Sequence, residues 1–262
     1  MFNEEIRKDI VKVLSGEWAE RYQQENKRGL GSAESLLRNP QSGLNFVLGN
    51  AFARAGGEQA GYGDIAVQAF DRSLNANGGY DKLMQINDAP AITWSSFVQI
   101  CNEKQVGINS KINEGVVKGL VKLAQNSVNL NPFEYLGSKV VEDTVGTFML
   151  LRNILGIGDK VASFITRDIV TILGLEERIV SGHQILLQPV DRWIHGISSS
   201  LWNNLGERAP TWLIALTVVT KCREYGFSPA RFNQGAWMYG SSTIVDTKKI
   251  PQGLSNLAAS LT

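Results

Sequence analysis

Two glycines, one lysine and one aspartate carry the chemistry that this sequence offers most plainly. Leu155-Gly156-Ile157-Gly158 interrupts an apolar helical run, and a second helix begins at once with Asp159 and Lys160. Glycines on either side of one aliphatic residue let the chain reverse tightly, because glycine tolerates positive φ and has no Cβ to block a close neighbour. The first turn of the second helix leaves backbone N–H groups without intrahelical acceptors, which makes a seat for a phosphate. A lysine in such a turn can be partly desolvated, lowering its pKa and supplying a neutral amine nucleophile. Downstream, Gln188-Pro-Val-Asp191-Arg-Trp193 delivers Asp191 to a helix start, where its carboxylate can accept from unpaired N–H groups. A phosphate seat, an amine and a carboxylate together suggest chemistry on nucleic acid.

Other glycine-rich motifs do not fit. A P-loop needs Gly-x-x-x-x-Gly-Lys-Ser/Thr, and Val161 follows the lysine here. A dinucleotide fingerprint needs a preceding strand and a third glycine after Gly158, which is absent. Cys101 and Cys222 are distant and form no Cys-x-x-Cys, and twelve residues separate His183 from His195. Neither pattern supplies a zinc or iron–sulfur site, so no metal ligands are expected.

The elements that must position these groups read as helices. Glu4–Gln24 places Ile6, Ile10, Val11, Val13, Leu14 and Trp18 near a 3.6-residue period. Segments 44–55, 65–74, 95–102 and 113–124 read likewise, with breaks at Gly56-Gly57, 75–79 and 129–132. The hairpin's first arm, 143–155, is expected to turn Val145, Phe148, Met149, Ile154 and Leu155 inward. Its second arm, 159–173, should turn in Val161, Ala162, Ile165, Ile169 and Ile172 and end at Gly174. No sustained two-residue alternation appears, so the spacing predicts an all-α fold with little sheet.

The 262 residues suffice for one large domain or two small lobes. Charged residues make up 19% and the net charge is +1, so any nucleic-acid surface must be a local patch rather than a basic domain. Arg152, Lys160, Arg167 and Arg192 all fall in or beside the motif. The N-terminal Met-Phe-Asn-Glu-Glu-Ile-Arg-Lys mixes both charge signs and predicts no secretory leader. The apolar stretch 212–219 is far short of the ~20 residues that span a bilayer and reads as a core helix. A soluble cytoplasmic protein, with no membrane partner, is expected.

A hairpin lysine followed by Pro-Val-Asp at the next helix start resembles the helix-hairpin-helix DNA glycosylases with the Gly-Pro/Val-Asp hallmark. The motif covers about 45 residues, and the all-helical pattern extends the likeness loosely over most of the chain. Lys160 and Asp191 stand 31 residues apart, a long connection that is similar to the archaeal-type 8-oxoguanine glycosylase branch and to bacterial OGG-fold proteins. Leu155 departs from that pattern, standing where the family usually has proline, and Asp159 adds a negative charge at the phosphate seat.

The resemblance implies two helical lobes with the helix-hairpin-helix motif at the cleft between them. One lobe would take about 58–190, with the hairpin at 143–173, and the other 1–57 plus 191–262. It implies Lys160 as the nucleophile at the sugar C1′ and Asp191 as the carboxylate that supports charge there. Gly156, Ile157, Gly158 and Arg192 would hold the DNA backbone. Phe164 would line the base pocket and Trp94 and Trp237 would sandwich the extruded base, with Gln234, Asn45 and Asn50 as candidate readers of base edges. The implied activity is removal of an oxidised or modified purine, 8-oxoguanine first, from duplex DNA with abasic-site lyase action. No cofactor is implied, although such hairpins hold a monovalent cation through their carbonyls. Two alternatives stand beside this one: a non-catalytic helix-hairpin-helix DNA-binding module, and a defence glycosylase acting on modified bases of foreign DNA.

Overall fold

The computed structural model describes residues 2–26, 31–52, 61–202, 205–206 and 208–261. Fifteen α-helices, joined by short 3-10 and π turns, run through it, and no β-strand occurs among the described residues. The all-α expectation holds. The break expected at Gly56-Gly57 lies outside the described residues. No helix is long and apolar enough to cross a membrane among the described residues.

Contacts divide the chain into a middle unit, Arg28–Leu173, and a terminal unit, Met1–Lys27 with Gly174–Thr262. Both boundaries differ from 58 and 190. Helix Pro40–Asn50 is buried at every position from Gly43 to Asn50, so it is surrounded. It buries Leu44, Phe46, Val47 and Leu48 in one core with Phe70, Phe97 and Phe133, which ties residues 33–50 to the middle unit. At the other end, the segment after Gly174 is held by charge. Arg223 donates to Gln184 at 3.0 Å and to Glu177 at 2.7 Å, while Glu176 accepts from the N–H of Ala230 at 3.1 Å. Those bonds fix the 3-10 turns Glu176–Arg178 and Ser181–Leu187 within the terminal unit.

The terminal unit has its own core, with Ile10, Leu14, Trp193, Ile197, Val218 and Phe232 at its centre. The single helix expected over 4–24 is interrupted by a π turn, Leu14–Trp18. Gly235 of helix Pro229–Tyr239 comes so near that a Cβ there would stand 1.8 Å from the Leu14 carbonyl oxygen. Arg231 Nε donates to the neighbouring Ser15 carbonyl at 2.8 Å, taking up an acceptor where the helical register changes. Helix Thr211–Glu224 is only half a core helix, since it buries Ile214, Val218 and Cys222 but exposes Trp212 and Leu216.

Candidate functional site

The hairpin is built on a side-chain cap and close packing against glycines. Its first helix, Thr144–Arg152, starts where Asp143 Oδ1 accepts from Gly146 N at 2.7 Å. This helix buries Thr144, Thr147 and Leu151, a stripe spaced three and four apart. Val145, Met149 and Leu155 consequently face solvent, contrary to their expected inward place. The turn then settles on helix Ser110–Gln125. A Cβ on Gly115 would lie 2.5 Å from the Leu155 carbonyl oxygen, and one on Gly119 would lie 2.4 Å from Ile154 Cγ2.

The two turn glycines have different reasons to be glycine. Gly156 has φ +95°, and a Cβ there would stand 2.7 Å from the Ile112 carbonyl oxygen. Gly158 has φ −92°, which any residue adopts, and a Cβ there would meet nothing within 4 Å. Its bare backbone faces open space. Ile157 is buried and its N–H donates to the Ile154 carbonyl at 2.9 Å. It therefore anchors the turn instead of offering a donor to a phosphate.

Helix Asp159–Ile172 begins at Gly158 with no side chain capping its first N–H groups. Asp159 does not leave a bare negative charge there, because it pairs with Arg152 from the first arm. Lys160 is half-buried, and its ammonium pairs with no carboxylate of its own unit among the described residues. Phe164, one turn on, is buried, and the Arg167 guanidinium lies 4.3 Å from its ring centroid. Arg167 Nε donates to Asp168 at 2.8 Å, and both side chains are 0% exposed. Lys160, Phe164 and Arg167 thus share one helix face at i, i+4 and i+7. Arg167, expected in a surface patch beside the motif, is instead fully buried, and its pairing with Asp168 was not foreseen from sequence. Its signal was a charged dipeptide amid the apolar positions Val161, Ala162, Ile165 and Ile169.

In the terminal unit, Asp191 caps helix Arg192–Leu201: its Oδ1 accepts from Trp193 N at 2.9 Å and Ile194 N at 3.1 Å. Its Oδ2 takes no hydrogen bond from the described residues of that unit. Arg192 is exposed, with its guanidinium 5.0 Å from the Trp193 ring centroid. Trp237 is half-buried and meets Tyr22 edge-on at 5.8 Å. Gln234 is fully buried and its carbonyl oxygen accepts from Gln23 at 3.0 Å, so that oxygen already has a structural partner.

The remaining candidates belong to the middle unit. Trp94 stacks on Phe97, centroids 5.4 Å apart and planes 18° from parallel, which commits one face of the indole to the core. Asn50 donates back to the Phe46 carbonyl at 2.9 Å, an ordinary intrahelical bond. Asn45 differs. It donates to Asp71 at 3.3 Å, beside Gln41, yet its buried Oδ1 has no partner among the described residues.

Neither thiol is poised as a thiolate. Burial raises the Cys222 pKa well above the ordinary thiol value, helped by the nearby Glu176 carboxylate, and burial also raises Cys101. Among the described residues, no three His, Cys, Asp or Glu side chains converge as a metal site. No protein-family model, curated protein or solved structure matches the chain.

Proposed function

We propose that the chain is a DNA glycosylase with abasic-site lyase activity, acting on an oxidised or modified purine, with 8-oxoguanine the first base to test. The observation that carries this reading is the turn at Gly156–Lys160. Gly156 is forced by conformation and space, whereas Gly158 leaves bare backbone at the start of an uncapped helix whose second residue is a half-buried lysine. A phosphate bound at that helix start would fix the adjoining sugar near the amine, and positioning of this kind contributes several kcal/mol to a barrier. In the proposed reaction Lys160 Nζ, as the free amine, attacks C1′ and the base leaves with the glycosidic electron pair. Opening of the sugar ring gives a Schiff base, and loss of the proton at C2′ then expels the 3′ phosphate by β-elimination. Asp191 would stabilise the cationic sugar as the base departs. Phe164, held rigid under Arg167, would wall the pocket for the base.

A second reading, a helix-hairpin-helix DNA-binding module without chemistry, is favoured by Asp191, whose cap on helix Arg192–Leu201 is a sufficient structural reason for it. Borohydride trapping on duplexes bearing 8-oxoguanine, uracil or an abasic site separates the two. A covalent adduct in the wild type that disappears in Lys160→Gln is expected. DNA binding with no adduct and no base release on any of these duplexes would leave the binding module.

A further inference from the structure

A groove of about 620 Å³ opens beside the first half of the hairpin turn, within the middle unit. Its floor includes Gly115 and Gly119, its walls include Asn153 and Leu155, and Lys118 and Lys122 stand along it. Lysines at 111, 118 and 122 fall on one side of helix Ser110–Gln125, at i, i+7 and i+11. Glu114 engages Lys118 at 2.5 Å, while Lys122 is exposed and has no ion-pair partner among the described residues. Asp88, at the uncapped start of helix Ala89–Glu103, offsets part of this charge. Its walls are mixed, with Pro90, Ala91, Ile154 and Leu155 beside Asn87, Asn153 and Gln125, and the two ammonium groups standing along them suit a polyanion.

The groove's place beside the turn decides which polyanion. Three residues separate Leu155 from Gly158, and that length of chain spans at most about 11 Å. Phosphates advance about 3.4 Å along the duplex axis per nucleotide of one strand. One strand of a few nucleotides therefore covers both the helix start at Gly158 and the groove. We infer that this groove, with Lys118 and Lys122, is a second phosphodiester-binding site that carries the DNA strand onward from the hairpin. The inference rests on the DNA reading above, and an acidic polypeptide is the occupant it argues against.

The test is the salt dependence of duplex binding by the full chain, with Lys118→Ala/Lys122→Ala and Gly158→Asp measured beside the wild type. Each phosphate neutralised contributes about 0.9 to the slope of log affinity against log salt. The double variant should flatten that slope by about 1.8, leave borohydride trapping at saturating DNA unchanged, and regain the slope as Lys118→Arg/Lys122→Arg. An unchanged slope in the double variant, with binding lost in Gly158→Asp, overturns the second site and leaves the hairpin standing. No duplex binding by the wild type at low salt overturns both, and so does displacement of the chain by polyglutamate but not by DNA.

Discussion

The Arg167 guanidinium lies 4.3 Å from the centroid of the Phe164 ring, and the same guanidinium is bonded to the buried carboxylate of Asp168. A cation stacked on a ring and neutralised from its edge holds that ring in one orientation. Removing one member of a buried ion pair typically costs about 3–5 kcal/mol, because the other charge stays desolvated. Arg167→Met should lower the unfolding free energy from urea titration by that amount, and Arg167→Met/Asp168→Leu should recover much of it. A single variant as stable as the wild type would mean that the pair carries no stabilising role.

Gly156 and Gly158 should respond unequally to alanine. At Gly156 the left-handed φ alone costs about 1–3 kcal/mol in a residue with a side chain, and the Ile112 carbonyl must also move. Gly158→Ala meets neither obstacle; alanine is the poorer N-cap but lowers the entropy of the unfolded chain, and the two effects should leave stability within about 1 kcal/mol of the wild type. Under the proposed function the same Gly158→Ala should weaken DNA binding through its methyl group. Thermal unfolding and a duplex titration on one preparation measure both effects.

Asp191 separates structural from chemical roles by choice of substituent. Asparagine caps helices as well as aspartate does, whereas alanine loses the cap at a cost of about 0.5–2 kcal/mol. Asp191→Asn should therefore match the wild type in stability and lose base excision. Full excision by Asp191→Asn would make the carboxylate charge irrelevant to the reaction.

Alkali should destabilise the terminal unit through a tyrosine. Burial, together with the bond that its hydroxyl donates to Glu4 at 2.8 Å, pushes the Tyr225 pKa up to about 12. Unfolded tyrosine ionises near pH 10, so the folded chain holds this proton more tightly. The associated stability is whole below about pH 10 and is lost as pH rises toward about 12. Burial shifts Tyr80 and Tyr239 in the same direction. Tyr225→Phe should show a smaller fall in Tm across that window than the wild type, and an equal fall would remove Tyr225 as a cause.

What spacing encodes and what it leaves out can be seen residue by residue. Helix Asp159–Ile172 was legible because Val161, Ala162, Ile165 and Ile169 recur at helical intervals, and Gly174, with φ +64°, sits just past its end as expected. The first arm was misread because Thr144 and Thr147, polar by type, are buried while Val145 and Met149 are exposed. Both threonine hydroxyls bond to the preceding turn, Thr144 to the Val140 carbonyl and Thr147 to that of Asp143. That satisfies them locally and lets a polar residue face inward. The boundary at 173 depends on Arg223 reaching Glu177, and the π turn lies against Gly235. Both are partners far along the chain that no local pattern announces. Among the candidate residues, the types and order of Gly156, Lys160, Phe164 and Asp191 were readable from sequence, whereas the bonds that already occupy Ile157 and Gln234 were not.

The seat of the turn on Gly115 and Gly119 has a mechanical consequence. At Gly115 the Leu155 carbonyl rests directly on helix backbone, and at Gly119 the branched Ile154 side chain does, so the height of the loop is set by the helix beneath it. The amide of Ile157 should exchange with deuterium as slowly as those of helix Ser110–Gln125, although neighbouring Leu155 projects into water. The tip behaves as a rigid peg, and whatever docks on it must adapt its own shape.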